Sequence, residues 1–438
     1  MRAALASIAL SSTAALALAP DESIDKAVEC LEAQQFDLAR TYLDAVVTDE
    51  RLTAAERSRA YYLRGYAFLS EGFDRSATAD YAHALDDDPS NADALNALGE
   101  LTLEGRGVER NDSRAFALFL RSARLGNVDA QAYVGYALLV GHGTARNLER
   151  ARYWLKTAAD AGHIDSLVNL ARSYRAIHAD RPDPERARAI YQSAVERGSS
   201  DALVGLGYMH LGGELGAPDA RAAADYFARA ARAGSAQGET ALAELYLDGN
   251  GVDRDDAHAR TLLERAAKAG YSPASARLAA LYESGRGVAR DTARARALYL
   301  EAAQQGDADA ELKIASLCLA RGDEASTREA LRWLRAAADQ DDPNAQNGLA
   351  WVLATTKHDA LRNGAAAIAA AEQAVAAARS AATLDTLAAA YAEAGEFDRA
   401  RDLERDALAA LDRAHEHELS REFEARLAAY SARRPWRE

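Results

Sequence analysis

Three short stretches carry residue types that could do chemistry. From Glu283 the chain reads ESGRGVARDTARARALYLEAAQQGDADA, placing Gly285 and Gly287 around a single arginine. Glycines open a loop whose backbone N–H groups can cradle phosphate, and an arginine beside them could hold the anion. A dinucleotide fingerprint needs a third glycine where this chain has Arg290, and no strand-like run precedes it. The same pair recurs as Gly105-Arg-Gly107, Gly141-His-Gly143 and Gly249-Asn-Gly251, so the expected role is a turn needing positive φ. Ser23 and Lys26 have the serine/lysine spacing of penicillin hydrolases, but neither Ser-Asp-Asn nor Lys-Thr-Gly occurs, and Ser23 reads as a helix cap. His415 and His417 stand about 200° apart on a helix and cannot share a metal on one face. His142, His163, His178, His210, His258 and His358 are scattered singly without ligand-spaced partners, and there is no HExxH, no Gly-x-Ser-x-Gly and no calcium loop. No catalytic residue, metal site or cofactor is expected.

The elements around these residues follow from composition. Apolar residues make up 49% of the 438 and charged residues 27%, with only 8 prolines, which favours packed helix over disorder. The net charge of -15 disfavours attraction to phosphate backbones or anionic lipid, so nucleic acid is not an expected partner. MRAALASIALSSTAALALAP has an early Arg2, a weakly apolar run and small residues for cleavage near 17 or 19; it reads as a signal peptide and implies an exported, periplasmic or secreted protein. No later run approaches the roughly 20 apolar residues that span a bilayer. Cys30 and Cys318 are too few for a disulfide framework and read as small buried residues.

Aligned on itself, the chain repeats in one register. Repeats start at residues 94, 130, 166, 202, 238, 274 and 310, always 36 apart. A period held this long predicts a solenoid. Within one repeat Ala274, Leu278, Leu281 and Tyr282 form an apolar helix face, and Ala295, Leu298, Ala302 and Ala303 form a second. Gly306 is placed to end the second helix, and Asp129, Asp165, Asp201, Asp309 and Asn344 are expected to cap the next. Upstream, Tyr61, Gly65, Phe68, Ala77, Tyr81, Ala84 and Pro89 fit a 34-residue tetratricopeptide repeat. From Gly65 to Ala77 is 12 residues and from Ala279 to Ala295 is 16, so the Gly-x-Gly sits in a lengthened inner turn.

These residues resemble the Sel1-like repeat family, whose Tyr, Gly-x-Gly-Val, Ala, Ala-Ala and closing Gly are matched by Tyr282, Gly285, Gly287, Val288, Ala295, Ala302, Ala303 and Gly306. Two repeats depart: residues 176–186 have no glycine in the inner turn, and residues 211–221 shift it. The expected architecture is an all-α, superhelical α-solenoid of stacked antiparallel helix pairs. Residues 1–19 are the signal peptide, 20–93 tetratricopeptide-like, 94–344 the seven Sel1-like repeats, 345–412 tetratricopeptide-like again, and 413–438 a capping helix and tail, the helix running from about Asp412 to Tyr430.

The resemblance implies a non-enzymatic scaffold or adaptor that holds a protein or peptide partner on its concave face, here in the bacterial cell envelope. Carrying the tetratricopeptide groove positions over, the seventh residue of each repeat faces the groove: Glu100, Tyr136, Arg172, Tyr208, Glu244, Ala280 and Ser316. Glu104, Arg175, Leu211 and Asp248 flank it. Tyr136 and Tyr208 around Arg172 form the aromatic and cationic mixture that interface hot spots favour. The alternatives are a periplasmic hydrolase acting on penicillin-type, cell-wall-related substrates and a cytosolic regulatory adaptor.

Overall fold

A computed structural model describes residues 18–175, 181–414 and 420–438. The cleavage region to residue 17, His178, His415 and His417 lie outside the described residues. Among those described, every regular element is a helix. The alanine-rich, proline-poor composition and the 3.6-residue apolar period account for this. None of these helices is long and apolar enough to cross a membrane.

The helices pair along the chain. Two pairs come first, Pro20–Glu32 with Phe36–Val46 and Ala54–Ser70 with Asp74–Asp87. The 36-residue repeats follow with helices of nearly constant length, such as Ala92–Glu104 with Asp112–Arg124, Val128–Val140 with Leu148–Asp160, and Ser272–Ser284 with Thr292–Gln304. Downstream stand Pro343–Thr355 with Gly364–Ala377, Ala381–Glu393 with Phe397–Ala414, and a last helix Ser420–Ser431. The expected capping helix from about Asp412 to Tyr430 falls partly on residues 415–419, which lie outside the described residues; the flanking stretches Phe397–Ala414 and Ser420–Ser431 are helical.

Small residues let the paired helices approach. Ala115, Ala130, Ala137 and Ala151 are wholly buried around Phe119, Leu138 and Leu155, so each pair packs nearly backbone to backbone and is sealed by one large side chain. One such buried cluster in the N-terminal unit runs across successive repeats, from Ala115 to Leu170.

The caps sit two residues before the expected ones. Asn127, Ser199, Ser235, Asp307 and Asp342 accept from the amides of Ala130, Ala202, Gly238, Ala310 and Ala345, and His163 does the same for Ser166. Asp129, Asp165, Asp201, Asp309 and Asn344 are the second residues of their helices. There the four aspartates face the positive end of the helix dipole, which explains an acidic residue at that place without a capping bond. Ser23 is likewise not a cap: the helix begins at Pro20, and Ser23 is buried inside it. Gly306 does take the left-handed conformation that ends its helix, at φ 82°.

The chain divides into two compact units, Met1–Tyr226 and Phe227–Glu438. Cys30 lies in the first and Cys318 in the second; both are buried and free.

Candidate functional site

The Gly-x-Gly turns resolve first. Gly105, Gly141 and Gly285 end their helices at φ 72°, 90° and 75°, and Gly107, Gly143 and Gly287 are also left-handed. The residue between the glycines carries the anion partner that a phosphate would have supplied. Arg106 Nη2 donates to Asp74 Oδ1 at 2.7 Å, His142 Nε2 lies 2.9 Å from Asp112 Oδ2, and Arg286 Nε donates to Asp256 Oδ1 at 3.1 Å. Each aspartate is the first residue of the second helix in the preceding repeat. The turn thus bolts one repeat to the helix N-terminus of the one before, and its anion site is filled by the chain itself. Arg110 first and His142 second hold the Asp112 carboxyl below the usual range; Arg254 and then Arg286 do so for Asp256.

Among the seventh residues, the N-terminal unit presents the richer face. Tyr136 is 38% exposed, Glu100 and Glu104 are exposed, and Arg172, Tyr208 and Leu211 are half-buried. Asn96 donates to Glu100 at 2.7 Å. Desolvation, followed by the like charges of Glu104 and Asp129, pushes the Glu100 carboxyl upward although the residue is exposed. Sequence reasoning missed Tyr66, which stands 34 residues before Glu100 and is 45% exposed. Its signal was the tetratricopeptide period, which the count of 36 skipped.

Arg175 does not join this face. It is buried, and its Nη2 lies 2.5 Å from Glu214 Oε1. The helix Ile164–Arg172 has only 9 residues and the next inner turn is glycine-shifted, so Arg175 and Glu214 take up the work of the missing Gly-x-Gly bolt. In the C-terminal unit Glu244 is engaged by Arg277 Nε at 3.0 Å, Asp248 is exposed, and Ala280 and Ser316 are exposed and small. Trp351 holds the seventh place of the repeat starting at Ala345 and was also missed.

The remaining residues with chemical potential serve packing. Ser23 is 2% exposed while Lys26 pairs outward with Glu29 at 2.6 Å, so the two do not open to a common site. His210 stacks on Tyr226 and His258 meets Tyr246 edge to face. No group of three or more metal-capable side chains comes together among the described residues.

One buried charged cluster was not foreseen. Asp385, Glu404 and Arg426 come from three successive helices and are 5%, 0% and 4% exposed. Arg426 Nε lies 2.7 Å from Asp385 Oδ1 and 3.8 Å from Glu404 Oε1, and its guanidinium also stacks within 4.5 Å of Phe423 and 5.5 Å of Trp351. Two carboxyls share one cation. Burial, and then the neighbouring Asp385, push Glu404 far upward; burial also raises Asp385, against the pull of Arg426. Burial thus pushes both carboxyls toward the protonated form, Glu404 the more strongly, and Arg426 lies closer to Asp385 than to Glu404. The cluster is closed to solvent and offers nothing to a substrate.

The sign of its pH dependence follows. A carboxyl whose folded pKa is raised binds its proton more tightly in the native state, so stability falls as pH climbs above the unfolded value, 4.5 for Glu404. The slope is about 1.4 kcal/mol per pH unit until the folded group itself titrates. Glu404→Gln keeps the shape and removes the titration. The C-terminal unit of the wild type is expected to lose urea resistance from pH 5 to pH 9, and Glu404→Gln to flatten that loss, read by fluorescence of Trp333, Trp351 and Trp436. Parallel slopes for the two proteins would show that Glu404 is not the group responsible.

Seven consecutive stretches match the Sel1 repeat: residues 92–127, 128–163, 165–199, 200–235, 236–271, 272–307 and 308–342. They make up more than half of the chain. The chain belongs to the Sel1 repeat family.

No curated relative matches this Sel1 repeat protein. Solved structures similar to it include a protective antigen of uropathogenic Escherichia coli with an SLR fold, 24% identical over 80% of this chain and 76% of that one, at a TM-score of 0.42. A Sel1 repeat protein from Oxalobacter formigenes is 24% identical over 55% of this chain and 96% of its own, at 0.44. Yeast Tom70 is 13% identical over 94% of this chain and 96% of its own, at 0.36. The all-helical repeat fold with pairwise packed helices is that of a protein–protein interaction scaffold, and Sel1 repeat proteins are in general non-enzymatic.

Proposed function

We propose that this Sel1 repeat protein is a non-enzymatic scaffold of the bacterial cell envelope that holds a segment of a partner protein along the seventh-residue face of its N-terminal unit. The observation that carries the reading is the run Tyr66, Glu100, Tyr136, Arg172 and Tyr208, one residue per repeat on successive first helices. Two of its aromatics are well exposed, Tyr66 at 45% and Tyr136 at 38%. Rigid aromatic rings lose little entropy on contact, and an arginine between them adds directional hydrogen bonds. Glu104 and Leu211 border the run, and in the C-terminal unit Glu244 and Asp248 are the corresponding polar positions. Arg175 is buried and paired with Glu214, and is not assigned to the face. The apolar N-terminal run supports export to the periplasm or outside the cell.

Arg172→Glu combined with Tyr208→Ala is expected to abolish capture of the partner from an envelope extract while leaving helical circular dichroism unchanged. Undiminished capture by the double variant would sink the assignment of this face. N-terminal sequencing of the mature protein should begin at residue 18 or 20; an intact Met1 would move the protein back to the cytosol.

A further inference from the structure

The C-terminal unit carries a second recognition feature on a different face-forming residue. After the helix Ser420–Ser431 the chain turns at Arg433, φ 55°, and runs back through Pro435 to the end of the helix Pro343–Thr355. There the Glu438 amide donates to the Thr355 carbonyl at 2.8 Å and the Lys357 amide donates to the Glu438 carbonyl at 2.9 Å. These two bonds straddle Thr356 as one step of parallel strand pairing does. The side chains are each met by a group of the same unit, Glu393 also pairing with Arg362 Nε at 3.1 Å. Arg437 Nη2 lies 2.6 Å from Glu393 Oε2 and its Nη1 donates to the Ala354 carbonyl at 3.2 Å. Trp351 Nε1 donates to Glu438 Oε2 at 3.0 Å, and the Trp436 ring lies 5.9 Å from the Arg426 guanidinium.

Backbone pairing for affinity with side-chain contacts for sequence is how sheet-edge receptors read an extended peptide. The slot also continues beyond Glu438. A cavity of about 210 Å³ adjoins it, lined by Leu319, Thr327, Val352 and His358 as well as Trp351 and Glu438. That volume is below the range of cofactor and substrate pockets and suits side chains of a peptide. A segment that served only as a lid over the core would have no reason to leave such a space beside its polar contacts.

We infer that this slot is a peptide-recognition site for an extended segment of a partner protein bearing the order aromatic, arginine, glutamate, and that residues 436–438 of the chain fill it until such a segment displaces them. The seventh-residue Trp351 is the reading residue for the glutamate, and Glu393 for the arginine. The intramolecular occupant lowers the apparent affinity of any partner by the fraction of time the slot is open. A partner whose segment also reaches the adjoining cavity gains contacts that the tail lacks, and so can win the exchange. The site lies in the other unit from the face proposed above, and the two are tested separately.

The probe is a fluorescein-labelled peptide copying residues 432–438, amidated at its C-terminus and added to the full-length chain. Arg437→Glu in the protein sets its own tail against Glu393 and opens the slot. The peptide is expected to bind that variant at least about 10-fold more tightly than the wild type. Adding Trp351→Ala should abolish the gain, and Arg172→Glu with Tyr208→Ala should leave it untouched. A peptide with glutamate in place of its arginine should not bind. Equal binding by wild type and Arg437→Glu, or none by either, overturns the inference. Should Arg437→Glu lose helical circular dichroism, hydrogen exchange on the wild type decides. With the unlabelled peptide in excess, the Glu438 amide should lose protection while that of Lys357 keeps it; unchanged protection at both refutes displacement.

Discussion

Arg426→Ala is expected to destabilise the C-terminal unit by about 3–5 kcal/mol, the cost of breaking a buried ion pair from one side. Three losses coincide at this residue. Asp385 and Glu404 are left as buried carboxyls without their cation, and any charge they keep sits in an apolar surround. The guanidinium is sandwiched by Phe423, Trp351 and Trp436, so its planar stacking contacts go with it. Finally, Arg426 joins the last helix Ser420–Ser431 to both Ala381–Glu393 and Phe397–Ala414, so its removal frees the element that closes the array. In a solenoid the terminal repeat has a neighbour on one side only, and its docking energy is correspondingly local.

The measurement is urea unfolding followed by tryptophan fluorescence in the C-terminal unit. Arg426→Ala should shift the midpoint by more than 1 M, given a slope of about 1–3 kcal/mol per M. Arg426→Lys tests the geometry: a lysine restores the charge but not the stacked plane, so it should recover only part of the loss. Full recovery by lysine would show that stacking on the aromatic rings contributes little. Lowering the pH should also narrow the gap between Arg426→Ala and wild type, because protonation of Asp385 removes the unpaired charge.

How much of this was legible beforehand depends on whether the information repeats. The helix pairs, the left-handed Gly306 and the turn role of Gly285 and Gly287 each recur at 36 residues, and periodicity reports them directly. The caps were displaced by two because an aspartate in the first helical turn, favoured by the dipole, looks like a cap in a string of letters. Tyr66 and Trp351 fell outside a count of 36 since the flanking repeats have other periods. Arg175 stands where a groove residue would, but it is buried against Glu214, 39 residues on, in a pairing that no period encodes. The Asp385, Glu404 and Arg426 cluster has no local signature at all. Its members are 19 and 22 residues apart on three helices, and the docked tail is joined to Thr355 and Lys357 across some eighty residues. Such long-range pairings exist only once the repeats have stacked.

Gly143→Ala should destabilise the N-terminal unit by about 2–4 kcal/mol. Two terms combine. Its backbone is left-handed at φ 66°, which costs a residue with a Cβ about 1–2 kcal/mol. In addition, a Cβ there would run into the carbonyl of Asp112, and a backbone atom at a helix start cannot swing aside as a side-chain tip can. The clash forces the turn away from the preceding repeat and lengthens the bond between His142 and Asp112. Gly141→Ala is the control, because that glycine is also left-handed at φ 90°, but its added Cβ would meet nothing closer than 3.7 Å. Gly141→Ala should therefore show the conformational cost alone. Trp154, on the second helix of the same repeat, reports the transition. A urea midpoint lowered about twice as far by Gly143→Ala as by Gly141→Ala is expected. Equal shifts would mean that the second glycine of each Gly-x-Gly is kept for its torsion angle alone, and that the close approach of each repeat to the helix N-terminus before it adds no constraint.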